Sequence, residues 1–198
     1  MPEMTGIEKF FVNRRGSRSY VRMLDRVERA GELPLDPSSQ VLELGAGNGM
    51  LSALIHERYH PARIHVTDYD PEQVRLAQTS LERRLGTLPS SFVIERGDAE
   101  RLAYADATFD LVIAHEVLHH LGSIEHIFGG LDEIARVLRS SGRLLYVETF
   151  HKRRIREHLT DRGFSIVFHE RALRIFSSAD VVIGVRRAAD PSPARPEG

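Results

Sequence analysis

The stretch Val41-Leu42-Glu43-Leu44-Gly45-Ala46-Gly47-Asn48-Gly49 restricts what this chain can fold into more than any other. Apolar or strand-favouring positions run straight into a turn with three glycines, and Leu51, Leu54 and Ile55 continue at helical spacing. The pattern predicts a buried strand, a tight loop and a helix N-terminus, a junction that cradles ligands. The glycines let the backbone turn sharply and approach a bound molecule, because a Cβ there would collide with it or forbid the φ values needed. The spacing argues against two familiar cargoes. A dinucleotide fingerprint needs G-x-G-x-x-G, but Met50 stands where the third glycine would fall, and no Lys-Ser or Lys-Thr follows as a phosphate loop requires.

The pattern after the loop keeps alternating strands with helices. Arg63 to Asp68 reads as a second strand ending in acid, and Tyr69-Asp70-Pro71 opens a helix with Asp70 as N-cap and Pro71 at its first position. An acid at the tip of the second strand, roughly twenty residues past the glycine loop, is where a nucleoside-binding α/β domain accepts hydrogen bonds from ribose hydroxyls; Asp68 fits that role. Phe92 to Glu95 is a third strand, leading to Gly97-Asp98-Ala99, where a carboxylate can accept from an exocyclic amine and a backbone N–H can donate to a ring nitrogen. Phe109 to Ala114 is a fourth, running into His115-Glu116-Val117-Leu118-His119-His120-Leu121. Ser123 starts a helix through Ile127, Leu131, Ile134 and Leu138, and Gly129-Gly130 within it predict a kink or a split. A fifth strand over Arg143 to Glu148, a basic helix from Lys152 to Arg162, and strands over Phe164 to Phe168 and Val181 to Val185 close the pattern.

With Glu43 ahead of the glycines, the first motif reads E-x-G-x-G-x-G and resembles that of class I S-adenosylmethionine-dependent methyltransferases. Val66 to Val74 resembles the same family's V-D-x-S-P-E, with Asp70 for the serine. Gly97 to Leu102 is similar to its G-D-A-x-x-L, and Glu133-Ile134-Ala135-Arg136-Val137-Leu138 to its E-I-x-R-V-L, although Ser140-Ser141 replaces Pro-Gly in the turn that follows. The F-D-x-V and L-H-H-L strings around the fourth strand point to the broad set of small methyltransferases. The resemblance covers about Pro34 to Arg187. It implies a doubly wound Rossmann-like α/β fold with a seven-stranded sheet in the order 3-2-1-4-5-7-6 and the last strand antiparallel. It also implies S-adenosyl-L-methionine as cofactor, held by Glu43, Gly45, Ala46, Gly47, Asn48, Gly49, Asp68, Tyr69, Asp98, Ala99 and His115. Residues 1–33 are expected to form a helical lid segment, 34–187 the methyltransferase domain, and 188–198 a disordered Pro-rich tail. The lid helix, from about Arg18 to Ala30, presents Tyr20, Val21, Leu24 and Val27 on one face. Asn13, Arg14 and Tyr20 are candidate lid residues, with plain packing and a solvated basic face as the alternative.

Composition narrows the chemistry further. The 198 residues suit one globular domain, and 28 acidic against 27 basic residues give no global pull toward nucleic acid or an anionic membrane. The absence of cysteine excludes disulfides, thiolate nucleophiles and cysteine metal sites. No apolar run approaches the ~20 residues of a membrane span, and no signal-peptide h-region is present, so a cytoplasmic protein with no membrane partner is the expectation.

His115-Glu116-Val117-Leu118-His119 is literally H-E-x-x-H, the signature of zinc proteases, with Glu133 as a conceivable third ligand. That chemistry needs both histidines one turn apart on a helix, whereas this string comes directly off a strand, so the zinc hydrolase stays a minor alternative and no metal is expected. Methyl transfer needs alignment and, for a hydroxyl acceptor, a base. Glu116, His119 and His120 lie at the carboxyl edge of the strands and are the catalytic candidates, similar to the E-x-x-E-H turn of ubiquinone-type O-methyltransferases with His119 replacing the second acid; the alternative is that the histidines satisfy backbone groups. A small-molecule acceptor, methylated on oxygen or carbon, is favoured. Arg14, Arg15, Arg18, Lys152, Arg153, Arg154 and Arg156 leave open RNA or another anionic acceptor if they converge. A cofactor-binding protein without turnover of its own is a further alternative, and the oligomeric state stays open.

Overall fold

A computed structural model describes residues 17–173 and 178–186; the expectations for residues 1–16 and for the tail at 188–198 fall outside them. The described chain runs α1 (Ser17–Arg29), β1 (Gln40–Leu44), α2 (Met50–Tyr59), β2 (Arg63–Asp68), α3 (Pro71–Leu85), β3 (Phe92–Arg96), β4 (Phe109–His115), a 3₁₀ turn (Leu118–Leu121), α4 (Ile124–Val137), β5 (Leu138–Glu148), α5 (Lys152–Asp161), β6 (Phe164–Leu173) and β7 (Ser178–Arg186).

These strands form a seven-stranded sheet in the order β3-β2-β1-β4-β5-β7-β6. β1 to β5 are mutually parallel, and β7 lies antiparallel between β5 and β6. This is the expected doubly wound arrangement. A parallel sheet covered on both faces needs strands that are apolar in near-continuous runs, as Val41-Leu42, Leu111 to Ala114 and Leu144 to Val147 are. Successive residues along them then feed opposite cores. Val41, Ile113 and Leu145 face Leu24 and Val27 of α1, Leu51 and Ile55 of α2 and Leu81 of α3. Leu42, Val112, Leu144 and Tyr146 face Ile127, Leu131 and Ile134 of α4 and Ile155 and Leu159 of α5.

The local signals act as their chemistry requires. The Asp70 carboxylate accepts from the Glu72 N–H at 2.8 Å with Pro71 at the first helical position, and Ser123 Oγ accepts from the His126 N–H at 3.4 Å. Two expectations need correcting. α4 runs through Gly129-Gly130 without a break. Gly130 is there for close packing: a Cβ on it would lie 2.9 Å from Leu121 Cδ1 and 3.5 Å from the Ala99 carbonyl oxygen, so its absence lets α4 approach the loop after β3. β5 also begins earlier, at Leu138 rather than Arg143, because the chain turns within the strand, with Ser141 at φ 66° and a register shift against β4 between Phe109 and Leu111.

Candidate functional site

The parallel strands end along one edge, and the order places the tips of β3, β2, β1 and β4 side by side. Four loops therefore converge. At the tip of β1, Gly45 turns with φ 61°, and a Cβ on it would sit 2.3 Å from Val117 Cγ2, so the glycine lets the loop after β4 lie directly on the loop after β1. The Ala46 N–H donates to the Thr67 carbonyl at 2.9 Å, the Gly47 N–H to Asp68 Oδ2 at 3.1 Å and the Gly97 N–H to the Asp68 carbonyl at 3.0 Å. Asp68 is thus the joint between three loops. Burial raises its carboxyl above the ordinary aspartate range, opposed by the N–H groups of Asp70 and Gly47.

Glu43 is placed behind the loop. Its buried carboxylate accepts from the Ser52 N–H at 3.0 Å and from the Ser52 hydroxyl, tying β1 to the first turns of α2. Burial pushes its carboxyl up to about 7, the Ser52 hydrogen bonds pulling the other way. Asn48 Oδ1 accepts from the Met50 N–H at 3.2 Å, and Gly49 has φ 70° at the helix start. Asp98 Oδ1 accepts from the Glu100 N–H at 3.0 Å and shapes the turn in which Ala99 is buried. The Arg96 guanidinium lies 4.8 Å from the centre of the Tyr69 ring and its Nε donates to the Tyr69 carbonyl at 3.0 Å. His115 closes β4 with its ring 4.9 Å from that of Tyr20, edge to face, so α1 reaches this edge too.

Two of the carboxylates named from the sequence, Asp68 and Asp98, stand on the neighbouring tips of β2 and β3, with Glu43 behind the β1 loop on the other side of Asp68. This donor set fits an adenosyl group. Aspartates can accept from a ribose diol and an exocyclic amine, while acids at these tips repel a phosphate and the Gly47 N–H that could have bound one is already given to Asp68.

A second cluster joins the loops after β4 and β5. Glu116 adopts φ 55°, its N–H donates to the Val147 carbonyl at 2.8 Å, and its carboxylate accepts from the Thr149 hydroxyl at 3.0 Å. His119, in the 3₁₀ turn, has Nδ1 2.8 Å from Oε1 of Glu148, and its backbone N–H donates to Oε2 at 3.2 Å. Glu148 is fully buried and also accepts from the N–H groups of Thr149 at 2.8 Å and Phe150 at 3.3 Å. The His120 ring lies 4.1 Å from that of His119, and the Phe150 ring 5.3 Å from it on the other pairing. The three catalytic candidates are therefore together, and Glu148 is the member that sequence reasoning missed. Its only signal was an acid ending an apolar strand, Leu144 to Val147.

The H-E-x-x-H residues do not share a helix. His115 ends a strand, Glu116 is left-handed and His119 lies in the 3₁₀ turn, while Glu133 accepts from Arg136 and from the Leu102 N–H. Among the described residues no three His, Asp or Glu side chains converge as a metal would need. In the basic set, Arg156 bonds Asp180, Arg153 bonds Glu157 at 2.7 Å and the Arg154 guanidinium lies 5.6 Å from the Phe128 ring centre; Arg14 and Arg15 lie outside the described residues. No described helix is long and apolar enough to cross a membrane.

A glycine loop on β1, an acid on β2 and a sheet ordered in this way define a class I methyltransferase fold. Residues 42–146 match the family model described as a methyltransferase domain, and the chain belongs to that family. It is 30% identical over 171 residues to phthiotriol/phenolphthiotriol dimycocerosates methyltransferase 1 of Mycobacterium ulcerans, covering 86% of this chain and 58% of that one. It is 34% identical over 123 residues to 27-O-demethylrifamycin SV methyltransferase of Amycolatopsis mediterranei, covering 62% and 42%. The chain thus spans about half the length of the curated relatives it matches. The fold is shared with magnesium protoporphyrin IX methyltransferase of Synechocystis, solved with S-adenosylmethionine bound, at TM-score 0.68 and 22% identity over 94% of this chain and 86% of that one.

Proposed function

We propose that this protein transfers the methyl group of S-adenosyl-L-methionine to a hydroxyl group of a small molecule, with His119 as the base. The observation that carries the reading is the His119–Glu148 contact. A carboxylate only accepts, so Nδ1 carries the ring proton and Nε2 is left as the basic nitrogen.

The bound cofactor supplies an electrophilic methyl on a sulfonium, which leaves as a neutral thioether, so the protein's part is alignment and proton removal. Asp68 holds the ribose hydroxyls, and Asp98 with the Ala99 N–H holds the adenine. The Gly45 to Gly49 loop with Tyr69 and His115 lines the remainder. His119 takes the acceptor proton at Nε2, while Glu148 acts through it as a positioning residue that fixes tautomer and ring orientation. Glu116, pinned by Thr149, and His120, beside the His119 ring, flank the acceptor. The left-handed Glu116 backbone at this edge supports the placement, since such conformations concentrate where function needs them. Two similar proteins are named for phthiotriol and demethylrifamycin acceptors, neither a nucleic acid nor a protein.

The test is incubation with methyl-labelled cofactor and a fractionated cell extract. Label is expected in a low-mass methyl ether and is lost with His119→Ala. Label confined to RNA or protein, or undiminished by that substitution, contradicts the reading.

A further inference from the structure

We propose that the methyl acceptor is a hydroxyaryl compound, its ring held against a wall made by Phe150 with the His119 and His120 rings; this rests on the hydroxyl-methylation reading above and names its substrate class. Among the described residues, the exposed large hydrophobics are Phe150, at 55%, and Val167, at 41%. Val167 lies on the edge strand β6, away from the reacting groups. Phe150 stands beside the base.

Its exposure is built in. The connection it belongs to is pinned on both sides: the Thr149 and Phe150 N–H groups donate to buried Glu148, the Thr149 hydroxyl donates to Glu116, and His151 turns the chain into α5 with φ 49°. The backbone therefore holds an apolar ring at the lip of the site. From there the rings continue as a series, Phe150 to His119 at 5.3 Å with planes 55° apart, then His119 to His120 at 4.1 Å with planes 40° apart. Aromatic pairs are favourable at centroid separations of about 4.5–7 Å in offset or tilted geometry, so a further ring laid on Phe150 joins the series at an ordinary spacing.

The chemistry of the base points the same way. An aryl hydroxyl resembles that of tyrosine, with a pKa near 10, which places its proton within reach of an imidazole far more readily than that of an aliphatic alcohol. In the transfer, the aryl oxygen gains the methyl carbon as the sulfur–methyl bond breaks with its electron pair left on sulfur, and the aryl proton passes to His119 Nε2. A ring resting on Phe150 directs its hydroxyl along the wall toward that nitrogen.

The experiment compares 2-naphthol with its reduced counterpart decahydro-2-naphthol by calorimetry on the full chain saturated with S-adenosylhomocysteine. The wild-type protein is expected to bind 2-naphthol about three- to tenfold more tightly, the scale of one aromatic pair beyond the burial that both probes share. Phe150→Leu removes that preference by weakening 2-naphthol alone, Phe150→Tyr restores it, and S-adenosylhomocysteine affinity is the same in all three proteins. Equal affinity for the two probes, absence of 2-naphthol binding at millimolar concentration, or an unchanged preference in Phe150→Leu overturns the proposal. So does a Phe150→Leu protein whose only change is a lower melting temperature, which assigns the ring to packing within the chain. Retained S-adenosylhomocysteine binding together with labelling of a non-aromatic acceptor leaves the methyltransferase reading standing while this one fails.

Discussion

Glu148 and His119 meet across two loops, one carboxylate binding both the ring Nδ1, at 2.8 Å, and the backbone N–H, at 3.2 Å, of the same histidine. Neither residue could rotate alone without breaking a contact to the other. His119→Ala is expected to lower kcat by roughly 10²- to 10⁴-fold, the usual range for a lost general base. Glu148→Gln turns an amide N–H₂ toward at least one of the N–H donors now satisfied there, so it lowers kcat about tenfold or more while cofactor affinity stays within about twofold. A loss in cofactor binding equal to the loss in kcat would make Glu148 a purely structural residue.

Gly45 is where the two halves of the site touch. Gly45→Ala places a Cβ 2.3 Å from Val117 Cγ2 at a residue with φ 61°, so both overpacking and a left-handed backbone act against it. The variant is expected to lose roughly 2–4 kcal/mol in urea unfolding and to lose cofactor binding. Adding Val117→Ala should recover only some of the packing loss, because the Val117 Cβ itself would lie 2.8 Å from the new Cβ, and none of the backbone part. A single variant as stable as the parent would show that the loops can separate freely.

Glu43 makes stability depend on pH in a stated direction. Its carboxyl rises from near 4.5 to about 7 on folding, because burial disfavours the charge. The folded state then holds this proton more tightly than the unfolded chain, so the stability linked to it is fully present below about pH 4.5 and is lost as pH rises through about 7. The linkage is worth roughly 3 kcal/mol across that window. Glu43→Gln keeps an acceptor for Ser52 and has no charge to bury, so its stability should fall less than that of the wild type between pH 5 and 7.5. Parallel curves in urea titrations at the two pH values would contradict this.

Much of this architecture was legible in the sequence because it depends on local chemistry. Apolar runs, Asp70 before Pro71, Ser123 and the glycine loop each act within a few residues, and each sits where its pattern requires. Gly129-Gly130 misled because propensity counts only the cost of a glycine within a helix. The gain at Gly130, close approach to Ala99, comes from a contact with a residue thirty-one positions away in sequence, 130 against 99. Glu148 went unnoticed for the same reason: its partner, His119, is brought to it by the pairing of β4 with β5. The string from Glu133 to Arg136 could be seen as a motif, but its purpose could not.

That purpose is to hold the segment after β3. Arg136 donates to the carbonyls of Leu102 at 2.9 Å and Tyr104 at 2.7 Å and to the carboxylates of Glu133 and Asp106, and Glu133 accepts from the Leu102 N–H at 2.9 Å. Arg136→Lys keeps the charge but cannot reproduce the fork, so the segment carrying Asp98 and Ala99 loosens. The expected result is a melting temperature lower by a few degrees, about 1–2 kcal/mol for a partly exposed group, with cofactor binding weakened several-fold. Unchanged binding would separate this network from the adenine side of the site.

The central claim is that an adenosyl cofactor lies across the tips of β1, β2 and β3 with its ribose on Asp68. Calorimetric titration of S-adenosylhomocysteine into wild-type and Asp68→Ala protein, both shown folded by thermal unfolding, tests it most directly. Loss of two hydrogen bonds to a carboxylate predicts affinity weaker by more than about tenfold in the variant. Equal affinity in the two proteins would contradict the account.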